Sequence, residues 1–143
     1  IIASMPEAMV NKCYPSKSLP VLIMNGKDDP LVLYNGGHIR LLKNGPSRGV
    51  LLPTQETARF WAQNAGFNTL TTQPITKHFP NRKKDGTSVK LETYNGGKDK
   101  VALYTIHGGG HTWPGRFQYA PKGLIGKTSK EIDGAATLWH FFF

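Results

Sequence analysis

Two short, unbroken apolar runs do most to limit what this chain can fold into. They are Pro20-Val21-Leu22-Ile23-Met24, which stops at Asn25-Gly26, and Val101-Ala102-Leu103-Tyr104-Thr105-Ile106, which stops at Gly108-Gly109-Gly110. A brief apolar run bounded by glycine is the pattern of a strand covered on both faces, as in a parallel sheet. Ahead of the second run, Val89, Leu91 and Thr93 alternate with polar residues, and Asn95-Gly96-Gly97 carries a hairpin signal. Val89 to Tyr94 is therefore expected to pair antiparallel with the strand that follows.

Two helices are expected. Thr54 can cap the first, which places Ala58, Trp61, Ala62 and Ala65 on one face before Gly66 stops it. The second takes Ser129 as its cap and Glu131 and Asp133 in its first turn, where the helix dipole favours acids. It aligns Ile132, Ala135, Ala136, Trp139 and Phe142 or Phe143, and both helical faces read as core. Between them, residues 66–88 contain Pro74, Pro80 and Gly86 and read as an irregular excursion. Strand, helix and strand again make the class α/β, a mostly parallel sheet flanked by helices.

The 143 residues, 38% of them hydrophobic, suffice for one domain spanning 1–143. The opening Ile1-Ile2-Ala3-Ser4-Met5-Pro6 reads as the end of a buried strand running into a loop, so the domain is expected to be incomplete. The net charge of +9 is scattered, and its one run, Arg82-Lys83-Lys84, lies between turn residues. Without a basic motif it argues against nucleic-acid binding as the main role. No apolar stretch approaches the roughly 20 residues of a membrane helix, and no signal-peptide pattern is present. Cys13 is alone, so it forms no internal disulfide, and there is no Cys-x-x-Cys zinc pattern.

Ligands of open α/β sheets gather beyond the carboxyl ends of the strands. Gly26-Lys27-Asp28-Asp29-Pro30 follows the first apolar run, and Gly108-Gly109-Gly110-His111-Thr112-Trp113-Pro114-Gly115 follows the second. An Asp and a His at neighbouring strand tips fit a serine hydrolase, whose imidazole takes the serine proton while a carboxylate fixes its tautomer. Solvated loop residues are the plainer reading of both. His107 and His111 are four apart, but a glycine turn is not the helical face that makes such a pair a zinc site, and no third ligand is evident. Trp113 and Tyr34 are candidates to line an acyl or aromatic pocket, with buried packing as the other reading for each.

Four segments together, 20–37, 57–66, 103–115 and 132–142, resemble the polyhydroxybutyrate depolymerase and feruloyl esterase family of α/β-hydrolases. The resemblance runs in order along nearly the whole chain and covers the carboxyl-terminal half of that family's fold. It implies Asp29 as triad acid and His111 as general base, with a serine in a missing amino-terminal half; no metal or cofactor is expected. Asp28 is the rival acid, and its other reading is a turn residue capping nearby amides. Leu33 stands where the family usually has proline, and Phe67 where it often has cysteine. The implied substrate is a polyester oligomer or a feruloylated or acetylated polysaccharide, and the implied address is extracellular or periplasmic. The isolated chain is expected to be inactive.

Gly45-Pro46-Ser47-Arg48-Gly49 fits the nucleophile-elbow pattern, but it follows Leu41-Leu42-Lys43-Asn44 rather than a buried strand. Ser47 also falls after Asp29, whereas the fold orders serine, acid, histidine. The competing functional class is a non-catalytic carbohydrate- or protein-binding module, in which the glycine loops and aromatics serve recognition.

Overall fold

The computed structural model describes residues 4–40, 45–70, 72–95 and 97–143. Its elements are β1 (Val21–Gly26), β2 (Gly37–His38), β3 (Val50–Leu51), α1 (Thr54–Asn64), β4 (Ile75–His78), β5 (Ser88–Tyr94), β6 (Val101–His107), α2 (Lys122–Ile125) and α3 (Gly134–Phe142). Both apolar runs are strands, and they lie side by side. β1 pairs parallel with β6 from Val21 opposite Val101 to Gly26 opposite Ile106, so the two strands end together.

The main sheet runs β1-β6-β5-β4 and is mixed rather than mostly parallel, because β6/β5 and β5/β4 are antiparallel. The β5–β6 pairing follows from the alternation in 89–93, although Gly96 of the hairpin signal lies outside the described residues. Residues 66–88 are less irregular than expected, since β4 forms there and takes an edge of the sheet. All four β4 residues are exposed, so no apolar alternation marks the strand. Its brevity, Lys77 and the flanking Pro74 and Pro80 are features that discourage pairing with another chain.

The register sorts the side chains. Val21 and Ile23 of β1, Val101 and Leu103 of β6 and Tyr94 of β5 share one face and pack on Ala58, Ala62, Ala65 and Phe67, with Trp61 at the margin. Alanines on α1 let the helix lie close to the sheet. Each fully buried Leu, Ile or Val contributes roughly 1.5–3 kcal/mol. Val89, Ile106 and Ile132 form a second cluster with Phe79 and Tyr104.

Both helices begin differently from expectation. Pro53 occupies the cap of α1 with no side-chain bond, while Thr54 sits inside the helix, fully buried. Its hydroxyl bonds Ser4 Oγ at 2.9 Å and receives Asn25 Nδ2 at 2.6 Å, tying the helix start to β1. In α3 the cap is Asp133, whose Oδ1 accepts the N–H groups of Ala135 and Ala136. Ser129 instead bonds the Thr87 hydroxyl at 2.7 Å, and the Glu131 carboxylate accepts the N–H groups of Arg82 and Lys83. The face expected to be core is also corrected. Trp139 is 62% and Phe143 88% exposed, stacked on each other, while Thr137 and Phe141 turn toward the sheet. No helix among the described residues is long and apolar enough to cross a membrane.

Candidate active site

Because β1 and β6 end level, the loops that follow them meet. The ladder continues past the strands through Lys27 N–H to Ile106 O at 2.8 Å and Asp28 N–H to Gly109 O at 3.0 Å. Gly26 permits this contact, since a Cβ there would lie 2.3 Å from Gly109 O and 2.5 Å from Gly110 O. The two loops are therefore joined backbone to backbone before any side chain takes part.

Asp29 is buried, and its two carboxylate oxygens have separate partners. Oδ1 accepts Leu31 N–H and Val32 N–H, both at 2.8 Å, while Oδ2 lies 2.9 Å from His111 Nδ1. The amides fix the carboxylate plane, so the remaining oxygen is held toward the imidazole. Asp28 is exposed, and its backbone N–H bonds the Gly109 carbonyl of the His loop. It is Asp29, and not Asp28, whose carboxylate caps nearby amides.

His111 is 42% exposed, and its Nε2 has no hydrogen-bond partner among the described residues. It borders a cleft of about 270 Å³ lined by Met24, Ile106, Thr112, Trp113 and Tyr119, among others. Among the described residues no serine or cysteine lines this cleft, and the Thr112 hydroxyl donates to Lys127 O at 3.1 Å. A Nε2 facing such a cleft can exchange a proton with a group brought in from elsewhere.

Trp113 lines the cleft, and its indole rests on Gly134, where a Cβ would stand 3.1 Å from Nε1. Tyr34, the other expected lining residue, does not reach it. Its ring is buried and its hydroxyl bonds Thr105 Oγ1 at 2.8 Å, so it is a packing residue. Burial raises the Tyr34 pKa, with the Thr105 bond opposing the shift. His107 has its pKa lowered by burial and then by Lys27, Lys90 and His78, and it does not join His111 in the cleft. Among the described residues, no three His, Cys, Asp or Glu side chains converge as a metal site requires.

Ser47 lies between β2 and β3 on the exposed surface, with its Oγ 2.8 Å from His38 Nδ1. It is not on a strand-to-helix turn, and the preceding 41–44 lie outside the described residues. Tyr119 was not apparent from the sequence as a site residue. It is one aromatic in a stretch without periodicity, and only the chain's return to the His loop brings its hydroxyl 2.6 Å from His111 O.

No family model matches the chain. It is 29% identical over 135 residues, 89% of its length, to "Putative esterase NocK" of Nocardia uniformis subsp. tsuyamanensis. It is also 29% identical over 100 residues, 70% of its length, to feruloyl esterase B of Piromyces equi. These matches span 38% of the first relative and 17% of the second, so the chain corresponds to well under half of either protein.

Proposed function

We propose that this chain carries the acid and base of a serine carboxylic ester hydrolase of the α/β-hydrolase fold, with Asp29 orienting His111 and the nucleophilic serine supplied from outside the chain. The observation that carries the reading is the 2.9 Å contact between a buried, doubly amide-bonded carboxylate and the Nδ1 of a histidine whose Nε2 is unpartnered among the described residues. Similarity to two esterase-named proteins supports the same chemistry. A binding module has no need to hold a carboxylate and an imidazole in this relation.

In the proposed reaction the serine Oγ attacks the ester carbonyl while His111 Nε2 takes its proton, and Asp29 stabilises the imidazolium through Nδ1. The tetrahedral intermediate collapses, the C–O bond to the alcohol breaks, and His111 returns the proton to the leaving oxygen. Water, deprotonated by His111, then cleaves the acyl-enzyme and restores the serine. Met24, Ile106 and Trp113 favour an apolar or aromatic group beside the scissile bond. A feruloyl or acetyl ester on polysaccharide, or a hydroxyalkanoate oligomer, meets that description. An extracellular or periplasmic address is part of the same proposal and rests on the family resemblance.

The test is hydrolysis of p-nitrophenyl butyrate by the full-length protein and its His111→Ala and Asp29→Ala variants. Both variants should lose turnover while Ser47→Ala keeps it, and the isolated chain should be inactive until the amino-terminal segment is added. Robust activity of the isolated chain that disappears in Ser47→Ala would overturn the external serine.

A further inference from the structure

One short segment grips the backbone of His111 on both sides. The His111 N–H donates to Ile125 O at 2.6 Å, and the His111 carbonyl accepts the Tyr119 hydroxyl, also at 2.6 Å. The segment is itself braced. Gln118 Nε2 donates to Ala120 O at 2.8 Å and Gly126 O at 3.0 Å, and its Oε1 accepts Thr128 N–H at 2.9 Å. Gly110 N–H donates to Lys127 O at 2.9 Å, and a Cβ on Gly110 would lie 2.1 Å from Ile125 O, so the two strands of this clamp are in direct contact.

The Asp29 bond fixes which ring nitrogen carries the proton, but where Nε2 points also depends on the backbone beneath the ring. That backbone follows Gly108-Gly109-Gly110, three residues with no side chain to restrain them. We propose that Tyr119 is a positioning residue for His111: its hydroxyl fixes the peptide plane that follows the imidazole, while its ring separately forms part of the cleft wall. The kinetic consequence rests on the esterase reading, whereas the structural consequence does not.

The two contributions can be separated in the full-length protein. Tyr119→Phe keeps the ring and removes the hydroxyl, so kcat for p-nitrophenyl butyrate should fall roughly three- to tenfold with KM within about twofold of the parent. Tyr119→Ala removes the wall as well and should also raise KM. Tyr14→Phe is the control, because Tyr14 Oη donates to the Asn11 carbonyl at 2.8 Å, the same type of bond away from the cleft. In 15N-histidine-labelled protein, the His111 Nδ1 proton should exchange faster with solvent in Tyr119→Phe and be unchanged in Tyr14→Phe.

If the parent hydrolyses no ester but the His111 resonance still responds to Tyr119→Phe, the positioning role stands and the esterase reading fails. Unchanged kcat together with an unchanged His111 resonance overturns the role. Loss of the far-UV circular dichroism signal in Tyr119→Phe also overturns it, because the hydroxyl would then support the fold at large rather than the base.

Discussion

Gly26 and Gly109 approach so closely that a methyl group on Gly26 would stand 2.3 Å from the Gly109 carbonyl oxygen. The obstructing atom is backbone, so no rotamer change relieves the overlap, and Gly26→Ala must drive the Asp and His loops apart. The Asp28–Gly109 backbone bond and the Asp29–His111 bond both cross that gap. Gly26→Ala is expected to destabilise the protein by about 1–3 kcal/mol in urea denaturation and to reduce kcat/KM further than stability alone explains. Gly123→Ala, at a position with nothing within 4 Å, should do neither.

Asp29→Asn separates orientation from folding. The amide oxygen can still accept the Leu31 and Val32 N–H groups, but its NH2 then faces His111 Nδ1. A donor there requires Nδ1 to be the acceptor, which moves the imidazole proton to Nε2 and leaves nothing to receive the serine proton. Turnover should fall by roughly 10³–10⁴ while the thermal midpoint stays near that of the parent. Asp29→Ala, by contrast, strands two amide donors and should also cost about 1–3 kcal/mol of stability.

Features whose information is local were legible in the sequence, and those set by distant contacts were not. The apolar runs mark β1 and β6, and the loops after them hold Asp29 and His111, which lie in contact, because burial and glycine turns leave direct marks. β4 left no mark, since an edge strand exposed at all four positions carries no apolar alternation. Thr54 and Ser129 look like caps because a hydroxyl before a helix is a strong local signal. Each is instead buried and bonded across the fold, to Asn25 and Thr87. The positions of Tyr34 and Tyr119 were not legible for the same reason. Tyr34 lies near Asp29 in sequence but turns beneath the sheet to Thr105, and Tyr119 returns to His111 through a loop without periodicity.

The start of α3 can be tested directly. With Asp133 as the cap, Asp133→Ala should reduce the far-UV helical signal, because Ala135 and Ala136 lose their acceptor. Ser129→Ala should leave that signal intact and still lower stability by about 1 kcal/mol, since a buried hydroxyl bonded to Thr87 is removed. Helix loss in Ser129→Ala but not in Asp133→Ala would move the helix start back to the position suggested by sequence.

Asp85 is expected to make the stability of this chain depend on acid pH. Burial pushes its pKa up, but the Thr87 hydroxyl and the N–H groups of Lys130 and Thr87 more than offset that, and the net shift is downward from 3.8. Because a carboxylate only accepts, the proton order along the chain is set: Thr87 Oγ1 donates to Asp85, Ser129 to Thr87, and Glu131 N–H to Ser129. A folded pKa below the unfolded one means the unfolded chain binds the proton more readily. The contribution is therefore fully present above 3.8 and is lost as pH falls through the lower folded value. Asp85→Asn should be less stable than the parent at neutral pH, and the gap in denaturation midpoint should narrow once pH falls below that range. A gap that stays constant across acid pH would show that the Asp85 charge takes no part in joining residues 85–87 to 129–131.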